Sequence, residues 1–146
     1  MNRSDEALNW FEGGFNCAQA VVAAFAEDFG IDRTTALRIG GGFGGGMGRQ
    51  GLICGAVTGA LIVIGLKFGK ISPNDNEAGD RTNNAVNEFS ARFKEKFGSL
   101  YCRDLLGYDI STAEGREYIK SYNITGETCP PIVQTTVEIV EQLINS

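Results

Sequence analysis

Histidine is absent from the 146 residues. That absence removes the most frequent general base and the most frequent neutral metal ligand, so no Ser-His or Cys-His mechanism operates within this chain. Basic blocks are absent too. Thirteen Lys and Arg face 18 Asp and Glu, for a net charge of -5, with no cation cluster of the kind that holds nucleic acid or an anionic membrane. No apolar stretch reaches transmembrane length: the uncharged run 51–66, inside GLICGAVTGALIVIGLKFGK, falls short of the roughly 18–20 apolar residues that a span needs. It reads as a buried helix, and any membrane role is at most peripheral. The opening MNRSDEALNWFEGG lacks the apolar centre of a signal peptide, which sets the expectation of a cytoplasmic protein. Alternating strand patterns, internal repeats and linkers are also missing, so one domain over residues 1–146 is expected.

What the sequence does have is helical periodicity. In NCAQAVVAAFAEDFG the residues Ala18, Val21, Val22, Phe25 and Phe29 recur at steps of three and four, with Asn16 as N-cap and Gly30 as stop. DRTTALRI predicts a short helix capped by Asp32. Residues 52–68 predict a helix apolar on nearly all faces, hence central. Val86, Phe89, Phe93 and Phe97 form one stripe of a further helix, with Lys94 and Lys96 at its C-terminal dipole and Gly98 ending it. Shorter helical turns are expected from Ser99 and from Ser111. In CPPIVQTTVEIVEQLINS, Pro130 suits a first helical position and Ile132, Val133, Val137, Val140 and Ile144 make the inner face. The fold class is therefore all-α: a compact helical bundle around a central Gly-rich apolar helix.

Glycine is concentrated in RIGGGFGGGMGRQGLICGAVTGA, with eight glycines in the twelve residues 40–51. GMGRQG matches the spacing of a dinucleotide loop, but no strand precedes it, no acidic residue follows at about twenty positions, and no P-loop Lys-Ser/Thr is present. What survives is a small-anion site made by Arg49 and the loop amides at the start of the following helix. Gly55 and Gly59 give that helix a smooth face against which another backbone can lie closely. A face of this kind brings a neighbouring helix, with its own cysteine, towards Cys54; it equally suits the seam of a homodimer.

Each of the four cysteines falls at or near a predicted helix start. Cys17 follows the cap Asn16, Cys54 follows the glycine run, Cys102 follows Ser99, and Cys129 precedes Pro130. Unpaired amides and the positive helix dipole there favour thiolate over thiol, the property shared by nucleophilic, redox and metal-binding cysteines. Against this stands the ordinary behaviour of free cysteine as a small buried hydrophobe. No CxxC pair occurs, so no zinc ribbon or finger is encoded.

The segments NCAQAV, GGGMGRQGLICGAVTGA, LYCRDLLG and CPPIV resemble the C-GCAxxG-C-C family, regarded as redox-active from four invariant cysteines, over nearly the whole chain. The resemblance places those cysteines at Cys17, Cys54, Cys102 and Cys129, and the central motif at Cys54-Gly55-Ala56-Val57-Thr58-Gly59. It implies thiol redox chemistry with a redox partner protein and no required cofactor. On that reading Cys54 is the more nucleophilic thiol and one of the other three resolves it, with three pairings open. An alternative is a four-thiolate metal site for zinc or an iron–sulfur cluster at the same residues. A third reading is a non-catalytic accessory domain of a transporter or electron-transfer assembly, since the family is said to occur near transporter genes and fused to cytochromes.

Overall fold

Caps written into the sequence set where most helices begin. The computed structural model describes residues 2–146, and among these it contains eight α-helices and no strand. In α1 (Arg3–Glu12) the Asn2 side chain accepts the Asp5 amide, and Asp5 and Glu6 sit in the positive first turn. This helix was not expected from the sequence. Its Arg3 fastens it to the bundle, donating to the Ala24 carbonyl at 3.0 Å and pairing with Asp28 at 2.6 Å. Helix α2 (Cys17–Ala26) opens with a reciprocal capping box between Asn16 and Gln19. A 3-10 turn then runs to Gly30, whose left-handed conformation (φ 68°) stops the chain as predicted.

Helix α3 (Arg33–Gly40) is capped by Asp32. Helix α4 (Gly55–Phe68) follows the glycine loop and begins three residues later than the sequence suggested. Leu52 and Cys54 are held instead by backbone hydrogen bonds to residues 100–102. Helix α5 (Asn76–Phe97) carries the predicted phenylalanine stripe, with Phe89 and Phe93 fully buried, and ends at Gly98 in the left-handed region. Two short helices, α6 (Cys102–Leu106) and α7 (Ala113–Ser121), lead into the long α8 (Ile124–Ile144). Thr112, not Ser111, caps α7.

Helix α8 corrects the expectation that Pro130 opens the last helix. It begins at Ile124, and both Pro130 and Pro131 lie inside it. The prolines remove amides that would have bonded the carbonyls of Gly126 and Glu127, and those two residues are exposed, so water can take the place of the lost donors.

Helix α2 packs against α1, α3, α4 and α8, while α4 packs against α2, α5 and α8. Val21, Phe25, Val63, Ile64, Phe89, Phe93, Val133, Val137 and Val140 fill the main core. A smaller apolar cluster holds Cys102, Leu106, Ile119 and Cys129. No helix among the described residues is long and apolar enough to cross a membrane.

Candidate functional site

Four cysteines from four helices converge on one cavity of about 940 Å3, lined by Cys17, Cys54, Cys102 and Cys129 together. All four are free thiols. The cavity opens where the two apolar clusters meet: Cys54 belongs to the main core, Cys102 and Cys129 to the smaller cluster, and Cys17 packs against both. Three of the four stand at helix starts, Cys17 and Cys102 as first residues and Cys54 as N-cap. Cys129 does not. It sits in the second turn of α8, so the expected rule of a cysteine at every helix start fails at this position.

Three devices bring the sulfurs together. The first is the glycine face of α4, which lets α2 lie almost backbone to backbone. A methyl group at Gly55 would stand 3.1 Å from the Phe43 carbonyl and 3.3 Å from Cys17 Cβ, and one at Gly59 would stand 3.0 Å from Val21. The small-residue face is thus filled from within the chain, and it sets Cys17 beside the start of α4.

The second device is a fragment of antiparallel pairing. Ile53 and Tyr101 form an isolated bridge, flanked by hydrogen bonds from the Cys54 amide to the Leu100 carbonyl (2.8 Å) and from the Cys102 amide to the Leu52 carbonyl (2.6 Å). Side chains alternate along extended backbone, so Cys54 and Cys102 share the face opposite Ile53 and Tyr101. Diagonal neighbours in such a pair stand roughly 7–8 Å apart.

The third device is the glycine loop. Residues 45–49 all have φ between 63° and 71°, which is one turn of left-handed helix. L-residues resist that conformation by about 1–2 kcal/mol each, so glycine supplies most positions and only Met47 and Arg49 bear the strain. The turn lays Gly46 flat against α6: a methyl group there would stand 2.5 Å from the Leu52 nitrogen and 2.8 Å from Cys102 Cβ.

The thiols fall into two electrostatic classes. Cys17 and Cys129 are hydrogen-bonded to each other. The Cys17 thiol donates to Cys129, which lowers the Cys129 pKa below the ordinary cysteine value. The same bond, with burial and the nearby sulfurs, raises that of Cys17 well above it. Of the two, Cys129 is therefore the more acidic. Burial pushes the Cys54 thiol up to about 11. The amides of Ala56 and Val57 act on its sulfur in the opposite direction, but they form no capping hydrogen bond and do not overcome burial. Cys102 is pushed up to about 12, again by burial first. Acidity therefore favours Cys129 over Cys54. A helix start alone does not activate a sulfur that burial has taken out of water.

Several of the loop amides are not open to an anion. The Met47, Arg49, Gly51 and Leu52 amides are already bonded to the carbonyls of Phe43, Gly44, Gly45 and Gly46. The Arg49 side chain does line the cavity, however, joined by Arg116 and Lys120. The latter two were not singled out in the sequence. Their only sequence signal is the four-residue spacing that sets both on one face of α7. As for metal, four thiols are suitable donors for zinc or an iron–sulfur cluster, but no group of three or more Cys, His, Asp or Glu among the described residues has metal-site geometry.

The family model described as "Putative redox-active protein (C_GCAxxG_C_C)" matches residues 15–143, a span that holds all four cysteines and every residue of the cavity wall except Phe11 and Gly14. No curated protein and no solved structure matches the chain.

Proposed function

The chain belongs to the C_GCAxxG_C_C family, and from that premise we propose that its cavity performs thiol–disulfide exchange, with Cys129 attacking and Cys17 resolving. The supporting observation is the hydrogen-bonded Cys17–Cys129 pair on the wall of an open cavity. In a chain without histidine, the partner thiol takes over part of what a neighbouring base would otherwise do: it favours the thiolate form of Cys129.

The Cys129 thiolate attacks one sulfur of a disulfide R–S–S–R′, forming a Cys129–S–S–R bond and expelling R′–S⁻. Cys17 then attacks the Cys129 sulfur, its proton passing to the leaving R–S⁻. The products are a Cys17–Cys129 disulfide, one thiolate and one thiol, so the pair has lost two electrons and the substrate has gained them. Return to the dithiol requires a reducing dithiol partner.

The test is mass spectrometry of the reduced protein treated at pH 8 with hydroxyethyl disulfide. Wild type should lose two hydrogens through a Cys17–Cys129 bond, and Cys17→Ser should accumulate the mixed disulfide on Cys129. Four unchanged thiols, or an adduct trapped on Cys17 in Cys129→Ser in place of the expected one, would overturn the assignment.

A further inference from the structure

The cavity wall carries charge of one sign only. Arg49, Arg116 and Lys120 line it, and no Asp or Glu does, although acidic residues outnumber basic ones 18 to 13 in the chain. The three cations are not consumed elsewhere. The ion pairs of the described residues use Arg3 and Arg92. Arg116 is steadied by Nη1, which donates to the Ile110 and Ser111 carbonyls at 3.2 and 3.1 Å, leaving Nε and Nη2 outside these bonds. Arg49 is exposed and lies in the left-handed turn of the glycine loop (φ 64°).

All three cations are exposed, whereas Cys54, Cys102 and Cys129 are buried, so the charges sit on the solvent side of the cavity and the sulfurs deeper. The volume of about 940 Å3 is that of a small-molecule site.

We infer that the cavity takes a small anionic disulfide, its carboxylates held by Arg49, Arg116 and Lys120 while its sulfur–sulfur bond lies over Cys129. This rests on the exchange reading for the reaction, but the binding half stands by itself. The chemistry is that of the preceding subsection, with R and R′ each bearing a carboxylate. The net charge of -5 predicts the opposite preference, repelling anions, so the two can be told apart.

The experiment uses dithiodiglycolate (dianionic), hydroxyethyl disulfide (neutral) and cystamine (dicationic) as oxidants of the reduced protein at low ionic strength. Each rate is divided by the rate of the same disulfide with free mercaptoethanol. Dithiodiglycolate should lead hydroxyethyl disulfide by roughly tenfold and cystamine by roughly a hundredfold. The lead should vanish at high salt and in Arg49→Gln/Lys120→Gln, whose native side chains are exposed and make no hydrogen bond or ion pair. Adipate, the same dicarboxylate without the disulfide, should bind wild type by calorimetry, and hexanediol should not.

Adipate binding without oxidation by any disulfide would overturn the exchange reaction and keep the anion site. Oxidation with no charge preference, or a preference for cystamine, would overturn the anion site and keep the exchange. Faster reaction with a protein disulfide than with all three small ones, after the same normalisation, would also overturn the small-molecule assignment.

Discussion

Cys17 and Cys129 meet through their side chains, whereas Cys54 and Cys102 are set on one face by their backbones. The first pair is polarised by its mutual hydrogen bond: one sulfur is made more acidic and the other less. The second pair is fixed by the hydrogen bonds around the Ile53–Tyr101 bridge, and burial raises both, to about 11 and about 12, with Cys54 adding to the rise at Cys102. All four line the same cavity. The difference teaches that thiol acidity here follows what faces each sulfur more than position at a helix start.

The strongest way to break the comparison is to remove its acidic member. At pH 8 a thiol of pKa about 11 is thiolate to only about one part in a thousand. Cys129→Ser should therefore slow alkylation of the folded protein by iodoacetamide by roughly a hundred- to a thousandfold. An undiminished rate would show that another sulfur carries the reactivity.

The next effect concerns the support of the second pair. Gly46→Ala places a methyl group against the Leu52 nitrogen and Cys102 Cβ at φ 71°. It should cost about 2–4 kcal/mol in urea unfolding, from strain and overpacking together. Gly48→Ala has a similar φ of 63° with nothing within 4 Å. It should cost only about 1 kcal/mol, and equal losses would mean that contact with Cys102 is immaterial.

The pH dependence of stability sharpens the comparison further. Cys17, Cys54 and Cys102 all have pKa values raised above the unfolded value of 9.0, so between pH 9 and about 11 the folded chain holds more protons than the unfolded one. Stability that is intact below pH 9.0 is then lost as pH rises, by about 1.4 kcal/mol per unit for each thiol concerned. Cys129, lowered by its partner, acts in the opposite sense at lower pH. Urea midpoints from pH 8 to 10.5 should fall, less steeply in Cys102→Ala relative to its own value at pH 8. A flat profile in wild type would remove the burial argument. The smallest change is expected from Cys54→Ser, which should leave the rate of Cys17–Cys129 closure within about threefold; a larger loss would make the second pair part of the exchange step.

Much of the helical frame was legible because its signals are local. Asn16 with Gln19, Asp32, Gly30 and Gly98 fix boundaries within a turn of chain, and the Phe89–Phe93–Phe97 stripe declares its own buried face. Helix α1 was overlooked although Asn2 and the acidic first turn marked it. The start of α8 was hidden for a physical reason. A proline reads as a beginning, yet it is tolerated deeper in a helix when the carbonyls it leaves unbonded face water.

By itself the sequence determined an all-α chain without histidine, four cysteines as its chemical resource, and a glycine stretch unsuited to a nucleotide. Those are matters of composition and of contacts within a few residues. Only the tertiary structure decided that Cys17 and Cys129 act on each other, that Cys129 is lowered where Cys54 is raised, and that Arg49, Arg116 and Lys120 line the same cavity. A thiol's acidity is set by burial and by the group across from it, and here that group lies more than a hundred residues away along the chain, from Cys17 to Cys129.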